Sequence, residues 1–160
     1  MTMFTRHTIE SAPPASRRAM AAVTGKQGYL PVAVALLAES PEALEGFLRM
    51  SATFDACTLD PVAREVVIMT VAARNGCHLC TVMHTAPLAD PRLEAVRAFT
   101  LRVIDTAGEA GDESLAGFLG HGFTRRNALE VVLGVGAYTL STLANRLTGA
   151  PVDEELRAFA

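Results

Sequence analysis

Two cysteines and a histidine stand at a spacing that could support redox chemistry. Cys77 and Cys80 form a Cys-x-x-Cys pair, and His84 follows four residues later. On an α-helix each residue advances by about 100° and rises by about 1.5 Å, so the three side chains would share one face. The two cysteine Cα atoms would lie about 5 Å apart, within the range that a disulfide bond tolerates. The spacing therefore predicts a helix face on which a disulfide can open and close.

A glutamate twelve residues before the first cysteine could join this face. The Asn-Gly pair that precedes the first cysteine predicts a helix end, because both residues tolerate a left-handed backbone. If the chain reverses there, Glu65 lies about 15 Å from the turn and His84 about 12 Å from it, at nearly the same level. Glu65 would then orient the imidazole of His84, which would take the proton of Cys80. A sulfenic acid on Cys80 could condense with Cys77 into a disulfide.

The rest of the sequence predicts helices and no β-strands. Capping residues followed by proline stand at 40–41, 60–61 and 90–91, and Thr124 precedes a long apolar run. Ser16 is expected to face water, and Gly134 and Gly136 indicate a close approach between helices. The chain is thus predicted to be an arm of residues 1–12 and one all-α domain of residues 13–160. The predicted helices are 13 or 14 to 23, 29–39, 41–54, 61–74, 77–86, 91–106, 114–119 and 125–147.

Composition and charge argue against several classes of protein. Of the 160 residues, half are apolar and only 19% are charged, and the net charge is -3. A nucleic-acid-binding domain usually carries a basic surface, so we expect no nucleic-acid partner. The N-terminus lacks the apolar core of a signal peptide, and no run of about 18 apolar residues predicts a membrane span. Three cysteines in such a chain indicate working thiols in a reducing compartment, so we expect the cytoplasm.

The stretch from Glu65 to His84 resembles a known family. The helix that ends in Asn-Gly-Cys and the motif Cys-His-Leu-Cys-Thr-Val-Met-His resemble the alkylhydroperoxidases of the AhpD-like branch of the carboxymuconolactone decarboxylase superfamily. The resemblance runs from about residue 28 to residue 147. It implies an all-helical bundle with the Cys-x-x-Cys pair at a helix N-terminus, assembled as trimers or hexamers, and a peroxidase that needs no cofactor and no metal.

The resemblance also assigns roles to four residues. Cys80 would be the peroxidatic cysteine and Cys77 the resolving one, while His84 would relay the proton and Glu65 would be its carboxylate partner. The substrate would be hydrogen peroxide or a small organic hydroperoxide. A lipoyl-type dithiol or another thiol system would be the external reductant.

One position departs from the family pattern. The best-known members carry an additional histidine directly before the second cysteine, where this chain has Leu79. Its histidine stands one residue earlier, at His78, and on a helix this turns the ring by about 100°. His78 is therefore kept only as a possible secondary site residue, with an exposed structural role preferred.

Other interpretations remain open at this stage. The helix face could serve a thiol–disulfide oxidoreductase without a peroxide step, and the superfamily also includes decarboxylase or lactone chemistry. Cys77, Cys80, His84 and Glu65 could instead bind zinc, or the cysteines could simply be buried.

For several further residues we prefer a structural role to a functional one. Cys57 is expected in the core, and His7 and His121 are expected in solvent. Tyr138 and Asn145 could reach the site, but helix packing is preferred for both.

Overall fold

The computed structural model describes residues 2–84 and 90–159, and these residues form helices and no strands. The all-α prediction is therefore confirmed. The α-helices are α1 (Pro14–Gln27), α2 (Val32–Leu37), α3 (Pro41–Asp55), α4 (Pro61–Arg74), α5 (His78–Met83), α6 (Pro91–Asp105), α7 (Asp112–Gly120) and α8 (Arg125–Thr148). A 3₁₀ helix, Glu154–Phe159, follows near the C-terminus.

The helix starts predicted from capping residues are confirmed. Ser40, Asp60 and Asp90 precede a proline at the first helical position, and each side chain accepts a hydrogen bond from a backbone N–H of the first turn. Thr124 and Asn127 form a reciprocal capping box at the start of α8. These side chains satisfy N–H groups that have no partner within the helix, which is why the boundaries could be read from the sequence.

The predicted end of α1 at residue 23 is wrong. The helix continues through Gly25 to Gln27, and its C-cap is Gly28, which has a left-handed φ of 83°. A glycine inside a helix costs only about 1 kcal/mol, so it weakens a helix without ending it. The prediction that Ser16 faces water is also wrong, because its buried hydroxyl donates to the carbonyl of Ala38.

Two short helices are shorter than predicted. α2 begins at Val32, because the preceding Pro31 adopts an extended conformation and acts as the N-cap. α5 ends at Met83, and His84 is extended with φ -123° and ψ 130°. The predicted continuation of α5 to residue 86 and the stop at Pro87 lie outside the described residues.

Helix α4 lies at the centre of the core. It packs against α6 and α8, and α8 also packs against α3. The predicted close approach is found at Gly134, where an added Cβ would lie 2.7 Å from the ring of Phe54 and 2.9 Å from Val67. At Gly136 the nearest atom would be the terminal methyl of Met50, at 3.3 Å. The glycine at 134 thus sets how closely α8 packs on α3 and α4.

A buried carboxylate that the sequence analysis did not single out fixes the start of α8. Glu130 accepts hydrogen bonds from the backbone N–H groups of Thr58 and Leu59 and from the side chains of Thr58, Asn127 and Arg126. Although burial opposes the change, these bonds lower the pKa of Glu130 to about 2. The ionised side chain therefore ties α8 to the loop between α3 and α4.

Both ends of the described chain pack on the helices. In the arm, Ala12 is buried, and the side chain of His7 is only 11% exposed and lies 2.8 Å from a carboxylate oxygen of Glu39. The expectation that His7 is solvated is therefore wrong, whereas His121 is exposed as expected. Near the C-terminus, buried Asp153 accepts a hydrogen bond of 2.8 Å from the N–H of Val32 at the start of α2.

By length and composition alone, α8 could cross a membrane. This is weak evidence, because core helices often have the same length and composition. The helix packs against α3 and α4, and it carries the buried polar residues Glu130, Thr142 and Asn145. These features fit a core helix.

Candidate functional site

The turn between α4 and α5 places the first cysteine beside α8. Gly76 has a left-handed φ of 63°, and the N–H of Cys77 bonds to the carbonyl of Ala72, which closes the end of α4. The side chain of Asn75 donates to Thr142, and Arg146 donates to the carbonyl of Asn75. Two hydrogen bonds therefore hold the turn against α8, and the chain reverses there.

The two thiols lie side by side in the interior. Cys77 is the N-cap residue of α5 and Cys80 lies within the helix; the residues are 2% and 4% exposed. Both are free cysteines, with their sulfur atoms 2.8 Å apart and joined by a hydrogen bond. Either thiol can donate this bond, because the proton can reside on either sulfur. The pair is thus positioned for a disulfide to form with little movement.

The hydrogen bond separates the acidities of the two thiols. It lowers the pKa of Cys77 to about 6, against the opposing effect of burial. The same bond, together with burial, raises the pKa of Cys80. The hydrogen bond thus favours the first negative charge on Cys77 and the remaining proton on Cys80. The assignment of Cys80 as the sulfur that reacts with peroxide stays a prediction.

Asn145 of α8 is the polar side chain closest to both sulfurs among the described hydrogen bonds. Its amide nitrogen lies 3.4 Å from the sulfur of Cys80 and 3.9 Å from that of Cys77. The residue is buried, so its donated hydrogen bonds stabilise negative charge on either sulfur. The preferred interpretation of Asn145 as a helix-packing residue is therefore incomplete. Its signal in the sequence is the helical spacing of Tyr138, Thr142 and Asn145, which places three polar side chains on one face of α8.

Glu65 and His84 are brought together as an ion pair or hydrogen bond. The Nδ1 atom of His84 lies 2.9 Å from Oε2 of Glu65. The imidazole also contacts the ring of Tyr138 edge-on, with ring centroids 6.0 Å apart. Burial raises the pKa of Tyr138 to about 12, so its hydroxyl stays protonated at neutral pH. These contacts fix the orientation of the imidazole and leave Nε2 as the nitrogen available to other groups.

The two thiols face different cavities. The His84 cavity, of about 330 Å³, is lined by Cys80, His84, Tyr138, Asn145 and a mostly apolar wall that includes Val34, Phe47 and Met83. The Arg146 cavity, of about 310 Å³, is lined by Cys77, His78, Asn145, Arg146 and residues 149–152. Asn145 lies between them and borders both.

The remaining candidate residues include one exposed histidine, His78, and one core cysteine, Cys57. His78 is exposed at the start of α5, whereas Leu79 is buried in the cluster that contains both cysteines. Cys57 packs against the main core, as expected. Across residues 2–84 and 90–159, no group of three or more His, Cys, Asp or Glu side chains is arranged to hold a metal ion. The zinc interpretation therefore has no ligand cluster in the described part of the chain.

The fold matches solved structures over nearly its whole length. An alkylhydroperoxidase AhpD core, a peroxidase-related protein from Ralstonia eutropha JMP134, is similar with a TM-score of 0.84 and 21% identity, covering 97% of this chain and 94% of that one. A peroxidase-related protein from Silicibacter sp. TM1040 gives 0.80 and 17%, covering 99% and 94%. The debrominase Bmp8, in complex with 2,3,4-tribromopyrrole, gives 0.75 and 14%, covering 99% and 96%. At these identities the likeness establishes the fold.

Sequence comparison points to the same family. No curated protein matches the chain significantly. Residues 39–101, however, match the model of the carboxymuconolactone decarboxylase family, and this segment contains Glu65, Cys77, Cys80 and His84. The family match over this segment and the AhpD-like fold both agree with the resemblance seen in the sequence: residues 39–101 are similar to the carboxymuconolactone decarboxylase family, and the fold is that of the AhpD core.

Proposed function

We propose that the protein is a thiol-dependent peroxidase that reduces hydrogen peroxide or small organic hydroperoxides through a Cys77–Cys80 dithiol cycle. The observation that carries this proposal is the pair of free thiols 2.8 Å apart, one of which shares a cavity with an imidazole held by Glu65. No bound cofactor is needed, because the two thiols supply both electrons.

In the oxidation step, the thiolate of Cys80 attacks the distal oxygen of the peroxide. The O–O bond breaks, the sulfur becomes a sulfenic acid, and the other oxygen leaves as an alcohol or water after taking a proton. His84 lines the same cavity and is suited to deliver that proton, with Glu65 orienting it. The thiolate reaches Cys80 when the shared proton moves across 2.8 Å to Cys77, and Asn145 then donates to the charged sulfur.

In the resolving step, Cys77 attacks the sulfur of the sulfenic acid. A disulfide forms and hydroxide leaves, taking up a proton to become water. An external dithiol, such as a lipoyl-type compound, then reduces the disulfide and restores both thiols. The attacking group must be a thiolate, and the amide of Asn145 and the charge of Arg146, which both lower the pKa of Cys77, remain in place in this step.

Single-cysteine variants test the assignment of roles. Cys80→Ser should abolish peroxide turnover, because it removes the sulfur that shares the cavity with His84. Cys77→Ser should permit one oxidation and then stall, since no second thiol can resolve the sulfenic acid. Peroxide consumption per protein molecule, with dimedone labelling and mass spectrometry to locate the sulfenic acid, measures both outcomes. Sustained turnover in either variant, or dimedone on Cys77 of the intact pair, contradicts the assignment.

Two other dithiol activities are candidates for the same residues. If peroxide is not consumed but the pair still cycles with dithiols, the protein is a thiol–disulfide oxidoreductase. The similarity of fold to a debrominase, and the apolar wall of the His84 cavity with the rings of Phe47 and Tyr138, favour a small brominated ring as an alternative electrophile. Release of bromide from 2,3,4-tribromopyrrole in the presence of a dithiol would support this candidate.

We propose that the reaction takes place in the cytoplasm and in a homo-oligomer. A dithiol cycle that reduces peroxide must be reset by an external reductant, and the cytoplasm is a reducing compartment. Assembly is supported by an uncovered apolar face on α8, which carries Leu129, Val132, Leu143 and Leu147.

A further inference from the structure

We infer that the Arg146 cavity is the entry site of the external reductant, a slender dithiol whose thiolate attacks Cys77. This inference rests on the dithiol cycle proposed above and adds a second, separate access route to it. Peroxide would reach Cys80 through the His84 cavity, and the reductant would reach Cys77 from the other side.

The positions of the two cavities carry the inference. Cys77 lines the Arg146 cavity but not the His84 cavity, and Cys80 lines the His84 cavity but not the Arg146 cavity. A thiolate that cleaves a disulfide must approach one sulfur from the side opposite the other sulfur, because the bond that breaks lies in line with the bond that forms. A reductant in the Arg146 cavity meets Cys77 and not Cys80, which is the arrangement that attack on the Cys77 sulfur requires.

The rim of the Arg146 cavity suits a small thiolate. Gly76, His78, Arg146 and Pro151 line it and are exposed, so the cavity opens to the surface. The guanidinium of Arg146 also lies close enough to lower the pKa of Cys77 by its charge. An approaching thiolate is anionic and is attracted by the same charge. A cavity of about 310 Å³ accommodates the chain of a lipoyl-type dithiol but not a folded protein surface.

The chemistry of this step balances without a further reagent. A thiolate of the dithiol bonds to the sulfur of Cys77, the Cys77–Cys80 bond breaks, and its electron pair leaves on Cys80, which then takes up a proton. The second thiol of the reductant attacks the reductant's own sulfur in the mixed disulfide. Cys77 leaves as a thiolate, and the reductant departs as a cyclic disulfide.

The surroundings of Cys80 suit it as the leaving group. The amide of Asn145 lies 3.4 Å from its sulfur and stabilises the charge that develops there. The charge on Cys77 that is released in the second stage is stabilised in turn, since the pKa of Cys77 is lowered to about 6. Sulfurs of low pKa leave more readily, so the release of Cys77 in the second stage is favoured.

Matched alanine-to-phenylalanine variants test the two routes. Ala150 lines only the Arg146 cavity and Ala52 lines only the His84 cavity, so each phenylalanine would fill one of them. The disulfide is made with diamide, and its reduction by dihydrolipoamide is followed by quenching with an alkylating reagent. Oxidation of the reduced protein by cumene hydroperoxide is followed separately. Thermal unfolding of both variants confirms that they are folded.

We expect Ala150→Phe to slow reduction at least about tenfold and to change oxidation by less than about threefold, with the reverse pattern in Ala52→Phe. Reduction at the wild-type rate in Ala150→Phe, or an equal loss of reduction in Ala52→Phe, overturns the inference. If cumene hydroperoxide does not oxidise the wild-type protein, the proposed peroxidase function fails, while the diamide-made disulfide still tests the entry site.

A measurement on the wild-type chain does not depend on either variant folding. The diamide-made disulfide is treated with glutathione, which can form a mixed disulfide but cannot close a ring, and the reaction is quenched with acid. Peptide mass spectrometry should find glutathione on Cys77. Glutathione on Cys80 instead would show that thiols enter through the His84 cavity and would overturn the inference.

Discussion

At the scale of single residues, one proton shared between two sulfurs decides which cysteine is charged. The electrostatic balance favours the thiolate on Cys77, whereas the cavity shared with His84 favours Cys80 as the sulfur that meets the substrate. The two preferences are compatible because the sulfurs lie 2.8 Å apart, so one short proton transfer exchanges their states. In the resting pair the charge is therefore favoured on Cys77, while the reaction with substrate can take place at Cys80.

The low pKa of Cys77 gives a pH dependence with a defined sign. A thiolate is present above its pKa, so thiolate absorbance at 240 nm should reach half of its first step near pH 6. Replacing Cys80 by Ala removes the hydrogen bond that is the largest cause of the shift, and the midpoint should rise towards about 8.5, the value of an ordinary thiol. Between these two pH values the variant should therefore lack the thiolate that the unmodified pair carries.

Both titrations are best made in a Cys57→Ser background, which leaves only the pair to titrate. Burial raises the pKa of Cys57, so its removal should not alter the first step. The same midpoint with and without Cys80 would contradict the assignment of the low pKa to the sulfur–sulfur hydrogen bond.

The sequence could identify the site residues that lie close together in the chain and form a motif. Cys77, Cys80 and His84 lie within eight positions of one another, and one turn connects them to Glu65. Asn145 could be noted but not assigned, because its contacts with the sulfurs span 65 and 68 positions of the sequence. Which sulfur carries the charge depends on a hydrogen bond between them and on burial, and neither is visible in spacing alone.

At the scale of helices, the contact of α8 with α3 and α4 depends on a residue without a side chain. Gly134→Ala should lower the free energy of unfolding by about 1–3 kcal/mol, because its Cβ would overlap the buried ring of Phe54 and the side chain of Val67. Urea denaturation measures the change.

Gly136→Ala is the matched control on the same helix. Its Cβ would meet only the terminal methyl of Met50, which can move, and alanine favours the helix by about 1 kcal/mol. We expect this variant to be about as stable as the original protein or slightly more stable. An equal loss of stability in both variants would show that helix packing is not what distinguishes the two glycines.

Helix starts were predicted better than helix ends. Starts are marked by side chains that bond to the first turn, as at Ser40 and Asp60, and the signal is therefore local. The ends of α1 and α5 were misplaced because a glycine inside a helix is tolerated and because α5 stops where His84 turns towards Glu65. That contact with another helix cannot be read from residues near the helix end.

At the scale of the whole molecule, helix α8 carries a row of large apolar residues in contact with solvent. Leu129 and Leu147 are 73% and 74% exposed, and Val132 and Leu143 lie on the same uncovered face between them. Such a face is costly in water, which supports the proposal that copies of the chain associate through it.

A double charge substitution on this face tests that proposal. Leu129→Glu combined with Leu147→Glu should lower the mass measured by light scattering to that of a smaller assembly or a monomer. Ala98→Glu, on an exposed position of α6, is the control and should leave the mass unchanged. An unchanged mass in the double variant would show that the chains do not associate through this face.

The position of Asn145 between the two cavities has a consequence for the energetics of the whole cycle. The negative charge moves from Cys77 to Cys80 and back as the pair is oxidised and reduced, and one fixed amide can donate to either sulfur. In water, each such transfer of charge would require the surrounding dipoles to turn. Here the dipole is already in place on a 24-residue helix, so reorganisation of the surroundings contributes little to either barrier.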